Sequence, residues 1–286
     1  MATQLSSLKK EKSMDNKIPI SVIVSVKNEE LNLPSCLEKL KYFSEVIVVD
    51  SMSKDKTPEI VKSYNFKLVQ FNWDGKFPKK RNWTLRNVVL KNDWVLFLDA
   101  DEILTDRFID EISKAIVDTP HNSFWLNYNN HFMGKQLKFG DKMRKLAFFK
   151  KGYGEYEKIE EDSWSNLDME IHEHPVIEGS TGNIKNEIIH DDYKGLEHYI
   201  AKHNAYSSWE AKRFLSLQEN SGEKFTMRQK VKYSLINTDL LPFIYFFYSY
   251  FIKLGIFDGK SGYYLAKYKS NYFLQIQTKI KELKTK

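Results

Sequence analysis

The stretch Val95-Leu96-Phe97-Leu98-Asp99-Ala100-Asp101-Glu102 constrains this chain more than any other. Consecutive apolar residues predict a strand buried on both faces, the pattern of parallel sheets covered by helices. Carboxylates at alternate positions follow where that strand leaves the sheet. Asp at a strand exit is also an ordinary turn former, so the pattern by itself leaves two readings open. The sharper one is a cation site, because hard divalent ions take oxygen ligands and share them with phosphates.

The preceding residues repeat the theme. Ile18 to Val26 and Glu45 to Val49 are rich in β-branched residues and read as strands. Lys67 to Phe71 and Trp94 to Leu98 read as two more. Between them, Pro34 opens a helix to Tyr42, Thr57 and Pro58 suit the cap and first turn of a helix to Tyr64, and Phe77 to Val89 is expected to be helical. Thr105 caps a further helix to about Val117. Strands alternating with helices imply right-handed crossovers and a mostly parallel sheet. Ligands bind such sheets at the carboxyl ends of the strands. With strand order 3-2-1-4, the ends at Ser25/Asn28/Glu29, Asp50 and Asp99/Asp101 line one edge side by side.

After Ser123 the pattern changes to short candidate strands, Phe124 to Asn129, Lys145 to Phe149 and Val176 to Glu178, followed by helix from Leu196 to Gln218. Leu240 to Phe257 is an aromatic run holding Pro242 and Lys253. It is at the lower limit for crossing a bilayer. A buried helix and an interfacial segment are the other two readings, and its tyrosines and lysine favour the interface. The formal net charge of +6 suits phosphates, an anionic membrane or nucleic acid. Basic residues are interspersed with acidic ones and form no stripe, which argues against nucleic acid as a partner. The single cysteine, Cys36, makes an internal disulfide impossible and points to a reducing compartment. The expected division is a disordered lead-in (1–17), a catalytic domain (18–192) and a helical C-terminal region (193–286).

The segments Val24-Ser25-Val26-Lys27-Asn28-Glu29-Glu30, Val48 to Thr57, Lys80-Arg81-Asn82 and Leu98 to Glu102 together resemble the inverting glycosyltransferases of family 2. Ile171-His172-Glu173, Ile189-His190-Asp191 and Gly255 to Tyr263 resemble a narrower group, the lipopolysaccharide core-region β-glucosyltransferases. The resemblance implies a GT-A fold, Rossmann-like, with a mostly parallel sheet flanked by helices, and a Mn²⁺ or Mg²⁺ cofactor. It implies Asp101 as a metal ligand and Asp99 on the metal or ribose. It places Ser25, Asn28, Glu29 and Asp50 around uracil and ribose.

Arg81 is a better candidate than Lys79 for the diphosphate, since guanidinium grips phosphate with two prongs. His190, with His172, is a candidate imidazole ligand or diphosphate contact. The general base should be a carboxylate on the acceptor side. Glu173 is the first choice, with Glu160, Glu161 and Asp162 as rivals. The expected reaction moves a hexose, glucose from UDP-glucose, onto a lipid-linked glycan such as a lipopolysaccharide inner core. It would run at the cytoplasmic face of the inner membrane, against anionic lipid. Polyprenyl phosphate, a capsule repeat unit or a protein are alternative acceptors. A non-catalytic binder of sugar nucleotide or nucleic acid is the remote alternative.

Overall fold

The computed structural model describes residues 17–140, 142–159, 161, 164–165, 167–168, 174–192, 194–219, 227–236 and 238–285. The expected lead-in lies outside them except for Lys17. The chain forms two units. One contains Met1–Tyr128, Arg144–Ile159 and Leu167–His190, the other Asn129–Met143, Glu160–Asn166 and Asp191–Lys286.

In the first unit Ile18–Val26 forms β1, buried from Ile20 onward. Leu33–Glu38 is α1, with Pro34 in its first turn, and a 3-10 turn over Lys39–Tyr42 extends it. Phe43–Asp50 is β2, Thr57–Ser63 is α2 and Lys67–Gln70 is β3. Lys80–Asn87 is α3, starting later than Phe77 because Lys79 before it takes extended backbone (ψ −179°). Trp94–Asp99 is β4 and Glu102–Ile103 is the short β5. Asp106–Ala115 is α4, and Thr105 caps it by accepting the Phe108 N–H at 3.2 Å. Ser123–Phe132 (β6), Lys135–Gln136 (β7), Arg144–Lys150 (β8), Gly154–Tyr156 (β9), Pro175–Ile177 (β10) and Thr181–His190 (β11) follow, β7 and the last four residues of β6 belonging to the second unit. Thr57 differs from its expected role. It is the first helical residue rather than the cap, because its hydroxyl accepts the Glu29 N–H at 2.8 Å while Asp55 receives the Thr57 N–H at 3.0 Å.

The main sheet runs β3-β2-β1-β4-β8-β6-β11-β5. The first four strands are parallel in the expected order 3-2-1-4. The β4–β8, β8–β6 and β11–β5 pairings are antiparallel. Register sets the edge that matters: Ser25 lies opposite Asp99, and Val26 opposite Asp50. Beneath that edge the core is aromatic, Phe97 packing 5.8 Å from Phe149 and 5.6 Å, edge-on, from Tyr156.

In the second unit Leu196–Glu219 (α5), Met227–Leu235 (α6), Leu241–Phe247 (α7) and Gly259–Thr285 (α8) surround a core of Ala211, Phe214, Ile236, Leu241, Ile276 and Ile280. The aromatic run is broken into α7, a π turn over Tyr248–Ile252 and a 3-10 turn over Gly255–Asp258. The Gly255-to-Tyr263 motif has a packing reason. A Cβ on Gly262 would sit 2.0 Å from the Gly255 carbonyl oxygen, so α8 can start against this turn only with a bare backbone. Asp258 holds the turn down by accepting the N–H groups of Lys138 and Phe139 at 2.9 and 3.0 Å. Among the described residues no helix is long and apolar enough to cross a membrane.

Candidate active site

Loops leave the carboxyl ends of β1, β2 and β4, and side chains of the first two lock each other. Asn28 takes a left-handed backbone (φ +56°), which Asn tolerates better than most residues. Its N–H donates to Ser53 Oγ at 2.7 Å, and its side-chain oxygen accepts the Lys54 N–H at 2.9 Å. Glu29 uses its N–H on Thr57 and accepts from Asn32 Nδ2 at 3.1 Å. Asp50 is fully buried and accepts from the Ser53 N–H at 3.1 Å and from Gln70 Nε2 at 3.0 Å. Asn28, Glu29 and Asp50 therefore shape the two loops together. Ser25 is buried at the end of β1, and its hydroxyl finds no hydrogen-bond partner among the described residues.

At the end of β4, carboxylate oxygens of Asp99, Asp101 and Glu102 lie within 4.8 Å of one another. Strand β5 makes this possible by turning Glu102 back, so that it pairs with His190 on β11. Two cations enter the group. Arg81 Nη2 donates to Asp99 Oδ1 at 2.8 Å, its guanidinium lying 5.2 Å from the Tyr156 ring centre. Lys145 Nζ donates to Asp99 Oδ2 at 2.7 Å and also to Glu102 Oε1. Glu102 Oε2 accepts the Asp99 N–H at 3.2 Å and the Tyr128 hydroxyl at 3.4 Å. His190 Nε2 stands 3.5 Å from Asp101 Oδ2.

The electrostatics follow from burial and charge. Burial pushes the Glu102 carboxyl above its ordinary value, opposed by Lys145 and reinforced by Asp99 and Asp101. Burial would lower Lys145, but Asp99, Glu102 and Tyr128 outweigh it and hold the ammonium well above the usual lysine range. Burial would likewise lower His190, and Asp101 outweighs it, raising the imidazole. Cys36, buried with its sulfur 3.9 Å from the Asp99 carbonyl, is pushed well up by burial and then by the acidic group. A thiol so placed stays protonated and is no nucleophile.

The donor set suits a hard cation: carboxylate oxygens converging on one point at a strand exit. Asp99 and Asp101, expected as ligands, are in this group, with His190 beside it and Ser25 opposite Asp99 in the sheet. Lys79 is buried at the start of α3. Glu173, expected as base, lies outside the described residues, as do His172, Glu160 and Asp162. Glu161 is buried in the second unit and accepts the Trp209 indole N–H. Sequence reasoning did not assign Glu102, Lys145, Tyr128 or Asp168. Glu102 had a signal, an acid directly following Asp101. Lys145 had none, being one lysine among many before an apolar strand. Asp168 is 3.7 Å from Lys27 Nζ and 3.9 Å from buried Lys80 Nζ. Burial raises its carboxyl, and Lys80, the Ser51 hydroxyl and Lys27 together more than reverse that, holding it below its usual range.

Comparison with known proteins places this site in context. The glycosyl transferase family 2 model matches residues 21–168. The chain is 26% identical to the lipopolysaccharide core biosynthesis glycosyltransferase LpsC of Rhizobium meliloti (strain 1021), over 86% of each chain. It is 28% identical to an uncharacterized glycosyltransferase of Rickettsia typhi, over 72% of this chain and 70% of that one. Among solved structures, S. aureus TarS 1-349 aligns with 93% of this chain and 91% of its own, at 14% identity and a TM-score of 0.44.

Proposed function

The chain belongs to glycosyltransferase family 2, with a GT-A-like α/β fold, and on that premise we propose that it is a metal-dependent hexosyltransferase using a UDP-sugar, UDP-glucose foremost. The observation that carries this reading is the convergence of Asp99, Asp101 and Glu102 at the end of β4, beside a buried Ser25 hydroxyl and the braced Asp50 loop. Asp99 and Asp101 would hold Mn²⁺ or Mg²⁺, with His190 as a third candidate ligand. A bound divalent ion supplies Lewis-acid stabilisation for a departing diphosphate. This chain's own cations add to that: Arg81 offers a planar two-pronged donor for diphosphate oxygens. Ser25, Asn28, Glu29 and Asp50 would enclose uracil and ribose. An inverting displacement also needs a base on the acceptor side, and Glu173 keeps that role as the proposed residue.

A lipid-linked glycan, such as a lipopolysaccharide inner core, is the proposed acceptor. Likeness to LpsC supports it, and so does the outer face of the second unit. Phe243, Phe247 and Phe251 recur every fourth residue and are 73%, 56% and 43% exposed, with Ile252 and Phe257 also in water. Between Leu240 and Lys279 the only carboxylate is buried Asp258, against Lys253, Lys260, Lys267, Lys269 and Lys279. Aromatic rings with lysines and no exposed acid fit an anionic lipid surface. We place the reaction at the cytoplasmic face of the inner membrane, where nucleotide sugars are made.

The test uses the full chain with UDP-glucose and Mn²⁺. UDP with Mn²⁺ should raise the melting temperature, since a ligand of the native state stabilises it. Asp101→Asn should cut donor turnover by about 10²–10³-fold, the scale of losing one preorganised charge-stabilising group, with circular dichroism unchanged. Undiminished turnover by that variant removes the metal assignment.

A further inference from the structure

Lys145 is the unexpected member of the acidic group. Its ammonium bridges Asp99 Oδ2 (2.7 Å) and Glu102 Oε1, and lies 5.2 Å from the Tyr128 ring centre. Arg81 takes the other Asp99 oxygen at 2.8 Å. Both oxygens of Asp99 and one of Glu102 are thus already engaged by this chain's own cations. Three carboxylates against one ammonium and one guanidinium leave at most a single net negative charge, with the His190 imidazole 3.5 Å from Asp101 besides. Bare Asp-x-Asp groups would offer a divalent ion far more.

We propose that Lys145 is a resident counter-ion that makes uptake of a divalent cation by the Asp99–Asp101–Glu102 group depend on the donor's diphosphate. This rests on the donor reading above. A dication arriving alone meets a nearly neutral, internally bonded group and must compete with an ammonium held by two carboxylates. A dication arriving with a diphosphate brings its own surplus of anionic oxygens. Lys145 is suited to yield: its ammonium is a compact point charge on a flexible stem, with donors that redirect easily. Two ligands that each improve the other's site are coupled reciprocally, so the metal should tighten UDP by the same factor as UDP tightens the metal. The device keeps the site from filling with metal in the absence of substrate.

The experiment reads Mn²⁺ binding by electron paramagnetic resonance of the free ion, on full-length protein, with and without UDP. Wild type should bind Mn²⁺ alone weakly, and UDP should tighten it at least ~30-fold, within the ordinary range of coupling between sites. Lys145→Gln should bind Mn²⁺ alone at least ~10-fold more tightly than wild type, because one unit charge a few ångströms away has been removed. Lys145→Arg, which keeps the charge, should stay weak. A residue that only braces the fold gives a loss on removal, so a gain in metal affinity is specific to the counter-ion role. Equal or weaker Mn²⁺ binding by Lys145→Gln overturns the proposal. So does tight binding of Mn²⁺ alone by wild type, which needs no variant to fold and leaves the donor reading standing. Absence of Mn²⁺ uptake even with UDP overturns both.

Discussion

At the end of β4 three carboxylates, two of them buried, are matched by Lys145 and Arg81, whereas along α7 Phe243 and Phe247 stand largely in water, Phe247 5.1 Å from the likewise exposed Phe251. The first region bears the desolvation of charge and offsets it with partners, which is costly unless every charge is met. The second leaves apolar area uncovered, which is costly unless something covers it. Function concentrates where a fold accepts such a cost. The two regions ask for different ligands: one for a cation and diphosphate, the other for a surface of lipid.

The comparison sharpens most if one substitution is made in both settings. Phe148 is fully buried in β8, stacked 5.7 Å from Phe124 and 4.8 Å from Trp94. Phe148→Ala should cost about 3–5 kcal/mol of stability in urea unfolding, the range for deleting a buried ring. Phe247→Ala, at a side chain 56% exposed, should fall within about 0.5 kcal/mol of wild type. A loss as large at Phe247 as at Phe148 would mean that the aromatic stripe is core after all.

Phe243→Asp with Phe247→Asp then tests what the stripe is for. Each buried ring contributes roughly 1.5–3 kcal/mol to partitioning out of water. The double variant should lose at least ~100-fold in sedimentation with vesicles containing anionic lipid, with donor hydrolysis in solution unchanged. Vesicle binding equal to wild type would detach the stripe from any membrane.

Much of this was legible because it rests on local chemistry. The four parallel strands and their order follow from apolar runs separated by capped helices, and Ser25, Asp50, Asp99 and Asp101 stand at strand ends by that logic alone. What escaped depends on distant pairing. The ten-residue β11 reads Thr-Gly-Asn-Ile-Lys-Asn-Glu-Ile-Ile-His, too polar for a buried-strand pattern, and it becomes a strand by lying beside β6 and β5. Lys145 gains its role only because β8 pairs with β4, a contact that brings residues 46 apart in sequence to one point. The aromatic run Leu240 to Phe257 is not one continuous helix, because Leu254 takes a left-handed backbone (φ +61°) and Gly255 must pass close to Ser249.

Two histidines carry the contrast into titration. His190 is buried, yet Asp101, 3.5 Å away, raises its imidazole above the ordinary value. His203 lies against the Tyr199 ring at 3.9 Å, and burial lowers it, its bond to the Tyr199 carbonyl oxygen notwithstanding. For His190 the folded value exceeds the unfolded one of about 6.5. Its stabilising contribution is therefore complete below that pH and fades as pH rises through the folded value. For His203 the unfolded chain binds the extra proton, so stability is lost as pH falls from about 6.5 toward its folded value. The two losses fall on opposite sides of about 6.5, that of His190 above it and that of His203 below it, and ring-proton NMR is the measurement that separates them. His190 should titrate above the free imidazole value and His203 below it. In Asp101→Asn the His190 curve should move down while His203 stays where it was. Movement of both would show that Asp101 acts on the imidazole through the fold rather than across 3.5 Å.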